Sequence, residues 1–172
     1  MYGLRARLSA EVAATVPERT RHDYAAMLLR FENGARGSLW ISQAASGAEN
    51  ALKIRVYGSK GGLEWEQPHP NHMRHVVHGE PVRILSRGLP GLSAAAQRAT
   101  RIPAGHPEGF HEAFANIYTD AADAIAAKLA GTDPDPLALD FPTVEDGVLG
   151  MAFVEAAITS SDADGRWTDC TP

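Results

Sequence analysis

The spacing of apolar positions changes period near the middle of the chain. Up to about residue 85 apolar and polar residues alternate in short runs, as in half-buried strands; beyond residue 107 the apolar positions recur every three or four residues, as in helices. The first run, Leu4 to Val16, alternates loosely and stops at Pro17. Tyr24 to Phe31 follows, then Asn33-Gly34, then Arg36 to Gln43. Asn-Gly between two apolar runs predicts a tight hairpin, because a type I′ turn needs positive φ at both central residues. A two-residue loop there would pair Leu28 with Leu39 and Met27 with Trp40. Leu28 and Leu39 would then point one way, and Met27, Leu29, Phe31 and Trp40 the other. Both faces would carry apolar side chains, which a sheet half-open to water does not need.

Leu52 to Tyr57 alternates cleanly and puts Leu52, Ile54 and Val56 on a predicted inward face. Gly58-Ser-Lys-Gly-Gly62 then turns the chain into Leu63–Glu66, which Pro68 and Pro70 close. Met73–Val77 and Val82–Leu85 are shorter strand candidates. Residues 88–103 are rich in Gly, Pro, Ser and Ala and read as a connector with one helical turn. Pro107 suits the first position of a helix, where its missing N–H costs nothing. Phe110, Phe114, Ile117, Ala121, Ile125 and Leu129 form the stripe of that helix, which Gly131 ends. Thr143-x-x-Asp146 has the form of a capping box, and Leu149, Ala152, Phe153 and Ala156 form a second stripe that fades at Ser160. Trp167 marks a last short strand.

Strands followed by helices, without strand–helix alternation, predict one α+β domain over residues 1–172. It would have a largely antiparallel, open-faced sheet (strands about 4–85), a connector (about 86–104) and two main helices (about 107–130 and 144–160) packed on one face.

Composition narrows the partners. The chain has 172 residues, a net charge of −5 and no run of Lys and Arg, which argues against nucleic acid. No apolar run approaches the roughly 18 residues of a membrane span, and no signal-peptide pattern follows Met1. The single cysteine, Cys170, has no internal partner for a disulfide. A cytoplasmic location is the expectation.

Three segments invite a chemical reading. The Gly58–Gly62 turn has the wrong residue order for a phosphate loop and leads into a strand. Nor is there a Gly-x-Gly-x-x-Gly fingerprint, so no cofactor site is expected in this chain. His69, His72, His75 and His78 recur at every third position. A strand throws such residues onto alternate faces, so they are not read as a metal site. His106 stands at the mouth of the first helix, where unpaired N–H groups favour anionic or hydroxyl-rich partners. Spacing alone leaves two readings open, a residue that caps the helix while Glu108 complements its dipole, or a ligand for a polyol.

Gly105-His-Pro-Glu-Gly109 followed by Glu112-Ala-Phe-Ala-Asn-Ile-Tyr118, with the Leu28–Gly47 and Val56–Asn71 segments in that order, resembles the C-terminal domain of the glucose–fructose oxidoreductase/inositol dehydrogenase (Gfo/Idh/MocA) family. The resemblance implies NAD- or NADP-dependent chemistry on a sugar or polyol, with the cofactor held by a Rossmann domain. It implies that the α/β domain completes the substrate pocket and mediates oligomerisation. The family's catalytic lysine lies in a Glu-Lys-Pro segment, but none of Lys53, Lys60 and Lys128 precedes a proline. The helix carrying its Asp and His would lie before the first strand. The chain by itself is therefore expected to be inactive, with no catalytic residue of its own. His106 becomes a lining residue of the sugar pocket, with Glu108 and Trp40 as further candidates. Trp40 could instead pack against a partner subunit, and a homodimer through the open sheet face is expected. A stand-alone binding or scaffolding domain is the alternative.

Overall fold

Asn33-Gly34 does reverse the chain, though not through a two-residue loop. In the computed structural model, which describes residues 6–172, the first strands are Ala6–Ala13 (β1), Tyr24–Phe31 (β2) and Arg36–Ser42 (β3). Leu4 and Arg5, the start of the predicted first strand, lie outside the described residues. The Gly34 N–H donates to the Phe31 carbonyl at 3.0 Å, and the Phe31 N–H donates to the Ala35 carbonyl at 3.1 Å. Gly34 has φ +89°, while Asn33 keeps a negative φ and accepts the Ala35 N–H on its side chain at 3.0 Å. This is the three-residue loop with a left-handed glycine, not a type I′ turn. The extra residue slips the register by one, so Met27 pairs with Leu39, Leu28 with Ser38 and Ala26 with Trp40. Such a slip exchanges the faces of a whole strand. Trp40 therefore shares a face with Leu28, and Leu39 with Met27, opposite to the expected grouping.

The chain divides into two compact units, one running to Gly47 and resuming over Pro142–Pro172, the other Ala48–Phe141. In the first, β1 lies between β2 and the two-residue strand Thr168–Asp169, in the order β3-β2-β1 and then that strand. Leu8, Ala10 and Met27 pack against Ala156 and Ala157 of the helix Val144–Asp162, with Cys170 completing the buried cluster. The expected capping box starts that helix: the Asp146 carboxylate accepts the Thr143 N–H at 2.9 Å, and Thr143 Oγ1 accepts the Asp146 N–H at 3.3 Å.

The fading of that helix's apolar stripe at Ser160 has a structural cause. The short last strand pairs only with Arg7 and Leu8, leaving the rest of the β1 edge without a neighbouring strand. Ser160 Oγ accepts the Ala10 N–H at 2.9 Å and donates to the Arg166 carbonyl at 2.8 Å. Ser161 Oγ accepts the Val12 N–H at 3.0 Å and donates to the Val12 carbonyl. Two hydroxyls replace a strand at a buried edge whose amides would otherwise be orphaned.

Asp23 anchors the β1–β2 connection. Its buried carboxylate accepts the Thr15 N–H at 2.7 Å, the Thr15 hydroxyl at 2.8 Å, the Val16 N–H at 3.2 Å and Arg19 at 3.1 Å. The Thr15 N–H above all, against the opposing effect of burial, holds this carboxyl down to about 2 from an ordinary 3.8. A depressed folded-state pKa stabilises above the unfolded-state value, and that stability is lost as pH falls through the folded one. The urea midpoint should accordingly drop as pH falls from about 4 toward 2. Asp23→Asn should lower the midpoint at neutral pH and flatten this part of the profile. An unchanged acid limb in the variant would show that Asp23 has no such role.

The second unit holds a separate antiparallel sheet of Lys53–Gly58 (β4), Gly61–Glu66 (β5), His72–Val77 (β6) and Arg83–Ser86 (β7) in sequence order. Among the described residues the expected single sheet is thus two sheets of four strands. The Gly58–Gly62 segment is a hairpin turn, and Gly61 (φ +154°) tolerates no side chain, because a Cβ there would lie 1.9 Å from the Val76 carbonyl oxygen. Leu52, Ile54 and Val56, expected to face inward, are exposed. After the short helix Ala94–Arg98 (α1) comes Phe110–Ala130 (α2), then a 3-10 turn at Pro136–Ala138 and the Val144–Asp162 helix (α3) of the first unit.

The stripe of α2 faces the opposite way from the expected one. Phe110, Phe114, Ile117, Ile125 and Leu129 are all exposed, Leu129 by 84%. Ion pairs turn the polar side inward. Arg98 bridges Asp120 and Asp123 of α2 at 2.9 Å each and reaches Asp135 at 3.3 Å. Arg101 holds Asn116 Oδ1 at 2.6 Å and Thr119 Oγ1 at 2.7 Å, and Asn116 donates to the Ala99 carbonyl.

Candidate functional site

Helix α2 begins three residues later than Pro107 suggests. Gly109 precedes its first residue, and the Glu112 carboxylate reaches back to the Gly109 N–H at 2.8 Å. Neither His106 nor Glu108 therefore caps the helix. The two lie on the turn before it, and their side chains go different ways: Glu108 is buried and His106 is exposed.

Glu108 is the centre of a saturated polar network. Its Oε1 accepts the Arg101 N–H at 2.7 Å and the Ile102 N–H at 2.5 Å, and pairs with Arg87 at 3.0 Å. Its own N–H donates to Asn71 Oδ1 at 2.9 Å, and its carbonyl accepts from Asn71 Nδ2 at 2.8 Å. The Arg87 guanidinium also donates to Asn71 Oδ1 at 2.8 Å, to the Ile102 carbonyl at 2.7 Å and to the His106 carbonyl. Backbone and side chain of the His106-Pro107-Glu108 turn are thus held from the start of β6, by Asn71, and from the end of β7, by Arg87. An arginine suits this position because its planar fork serves several acceptors at once. The arrangement presents a rigidly based imidazole to solvent.

Sequence reasoning missed Asn71 and Arg87. A glutamate between a proline and a glycine gives no hint of burial, and its cation comes from another strand. His72 and His75 fall on opposite faces of β6, pairing with Ser86 and Arg83 respectively. Trp40 belongs to the first unit, where it stands on the open sheet face, 61% exposed, beside Leu28. A shallow cavity of about 830 Å³ opens there, lined by Trp40 together with Ser9, Glu11 and Asp164 among others.

No described strand pairs in parallel, so the described residues contain no βαβ crossover of the kind that receives a dinucleotide pyrophosphate.

Two antiparallel sheets with three helices give the described residues an α+β fold. Residues 4–169 match the C-terminal alpha/beta domain of the GFO_IDH_MocA oxidoreductase family, a match that runs through both units, and the chain belongs to that family. It is 35% identical over 147 residues to the uncharacterized oxidoreductase YfiI of Bacillus subtilis (strain 168), covering 86% of this chain and 37% of that protein. A crystal structure of an oxidoreductase from Sinorhizobium meliloti is 48% identical with a TM-score of 0.90, over 96% of this chain and 46% of that one. An inositol dehydrogenase homolog from Azotobacter vinelandii, complexed with NADH and myo-inositol, is 37% identical with a TM-score of 0.87, over 96% of this chain and 44% of that one. The chain spans less than half the length of each of these relatives.

Proposed function

We propose that this chain is the substrate-binding and oligomerisation domain of an NAD- or NADP-dependent sugar or polyol oxidoreductase, and that it does not turn over alone. The observation that carries this reading is His106 exposed on a turn whose base is locked by Arg87, Glu108 and Asn71. An imidazole so held can exchange hydrogen bonds with a polyol at little ordering cost, because the turn is fixed beforehand. Its role is to position substrate. Glu108 acts through His106 and does not touch the ligand. The apolar stripe of α2, turned outward, supports a companion cofactor domain, and so does the additional length of the relatives. No described helix is long and apolar enough to cross a membrane.

The test is a fusion of this chain behind the cofactor-binding half of the Sinorhizobium meliloti relative. The fusion should reduce NAD or NADP in the presence of myo-inositol or a related polyol, whereas the chain alone should not. His106→Ala should raise KM by about tenfold, the worth of one well-made hydrogen bond, with a smaller effect on kcat. Turnover by the chain alone, or a fusion indifferent to His106→Ala, would overturn the reading.

Oligomerisation is assigned to the open face of the first sheet, where Leu28 and Trp40 lie exposed side by side. Apolar area of that kind favours cover at roughly 25 cal/mol per Å², and a two-fold interface uses one patch twice. Light scattering should give twice 18.4 kDa, and Trp40→Glu should shift the mass toward that of one chain. A mass that ignores the substitution would remove this face from the interface.

A further inference from the structure

The register of the first sheet assembles an arginine cluster that no stretch of sequence contains. Arg7 in β1 lies directly opposite Arg30 in β2, and Arg30 lies directly opposite Arg36 in β3. Residues directly opposite share a face, so three guanidinium groups form a row across the open side, with backbones about 5 Å apart. Like charges in that relation destabilise a sheet. In a chain of net charge −5 such a row calls for an anion.

Their existing contacts leave donors free. Arg7 is paired with Asp169 at 2.9 Å and also donates to the Trp167 carbonyl at 3.3 Å. Arg36 directs one nitrogen to the carbonyls of Gly34 and Ala35. Arg30 lies over the Trp167 ring, 3.8 Å from its centroid, and makes no hydrogen bond among the described residues. Stacking on an indole fixes the plane of a guanidinium while leaving its in-plane donors available. All three arginines line a cavity of about 420 Å³ that Asp169 and Glu32 also line, a volume in the range of small-ligand sites.

We propose that this cavity binds a phosphate group, free or as the ester of a small molecule, held by the forks of Arg30 and Arg36 with Arg7 behind them. Asp169 offsets Arg7 and Glu32 offsets part of the remaining charge, which leaves the cavity net positive toward an anion. Bidentate arginine pairing suits phosphate oxygens better than a single carboxylate. The half-open cavity has the size of a small molecule, which favours such a ligand over an acidic protein surface.

Calorimetric titration of the full chain at low ionic strength, with inorganic phosphate and separately with glycerol 3-phosphate, tests this. Saturable one-site binding is expected, and tighter binding of the ester would identify an esterified ligand. Arg30→Gln and Arg36→Gln should each weaken binding about tenfold, as the loss of a charge-assisted pair requires. Arg30→Lys, which keeps the charge but loses the fork and the stack, should weaken it too. Asp169→Asn should tighten it by freeing Arg7. Far-UV circular dichroism checks that each variant is folded, and the Arg30 Nε resonance should move on titration if contact is direct. Absence of saturation at millimolar phosphate, or affinity unaffected by Arg30→Gln in folded protein, would overturn the assignment. So would a salt-sensitive dimer that Arg30→Gln dissociates without any phosphate binding, since the row would then read acidic groups of a second copy.

Discussion

Glu108→Ala is expected to destabilise the Ala48–Phe141 unit by about 3–5 kcal/mol, the cost of leaving a buried charge without its partner. The Glu108 side chain is 6% exposed and that of Arg87 16%, so water reaches the orphaned guanidinium only at its edge. The Arg101 and Ile102 amides lose their acceptor at the same time. The effect is large for a further reason. Among the described apolar residues of this unit only Ala138 is fully buried, so hydrophobic burial contributes little and the polar network contributes correspondingly more. Glu108→Gln should cost less, about 1–2 kcal/mol, because an amide oxygen can accept the same two N–H groups and only the charge is lost. Trp65 lies in this unit and the other two tryptophans in the first. Urea titration of a Trp40→Phe/Trp167→Phe background, followed by fluorescence, therefore reports this unit alone. Losses below about 1 kcal/mol for both substitutions would show that the turn is held by something other than this network.

The elements themselves were largely legible. Strand periodicity located β2 at Tyr24–Phe31, and the capping box and stripe located α3, because those patterns depend on neighbours in sequence. The hairpin register depended on one backbone choice. Asn33 used its side chain on the Ala35 N–H and kept a negative φ, and that choice exchanged the faces of Leu39 and Trp40. The orientation of α2 was hidden for a different reason. Its apolar stripe is real, but Arg98 and Arg101 bind the opposite face, and helical spacing cannot say which face a distant arginine will take. His106 and Glu108 were visible as a motif, whereas their division of labour was not. The cation and amide that separate an exposed imidazole from a buried carboxylate come from residues that adjoin β7 and β6, elements that meet the turn only in the fold.

Leu8→Ala is expected to cost the first unit about 3 kcal/mol, whereas Leu28→Ala should cost under about 1 kcal/mol. Leu8 is wholly inaccessible and is the largest apolar side chain in its cluster with no exposure at all. Its neighbours include Ala10, Ala156 and Ala157, short side chains that cannot swing into the space it would vacate, so the cavity persists and adds its own cost. Leu28 is also a strand leucine, yet it is 57% exposed because it alternates with Met27 and Leu29, which take the core face. Thermal unfolding monitored by the fluorescence of Trp40 and Trp167 in a Trp65→Phe background compares the two directly. A cost at Leu28 that equals the cost at Leu8 in dilute protein would return Leu28 to the core and refute this assignment of faces. A cost at Leu28 that stays small in dilute protein and grows with protein concentration is what the proposed dimer through this face requires, since stability borrowed from a second copy depends on how much of it is present.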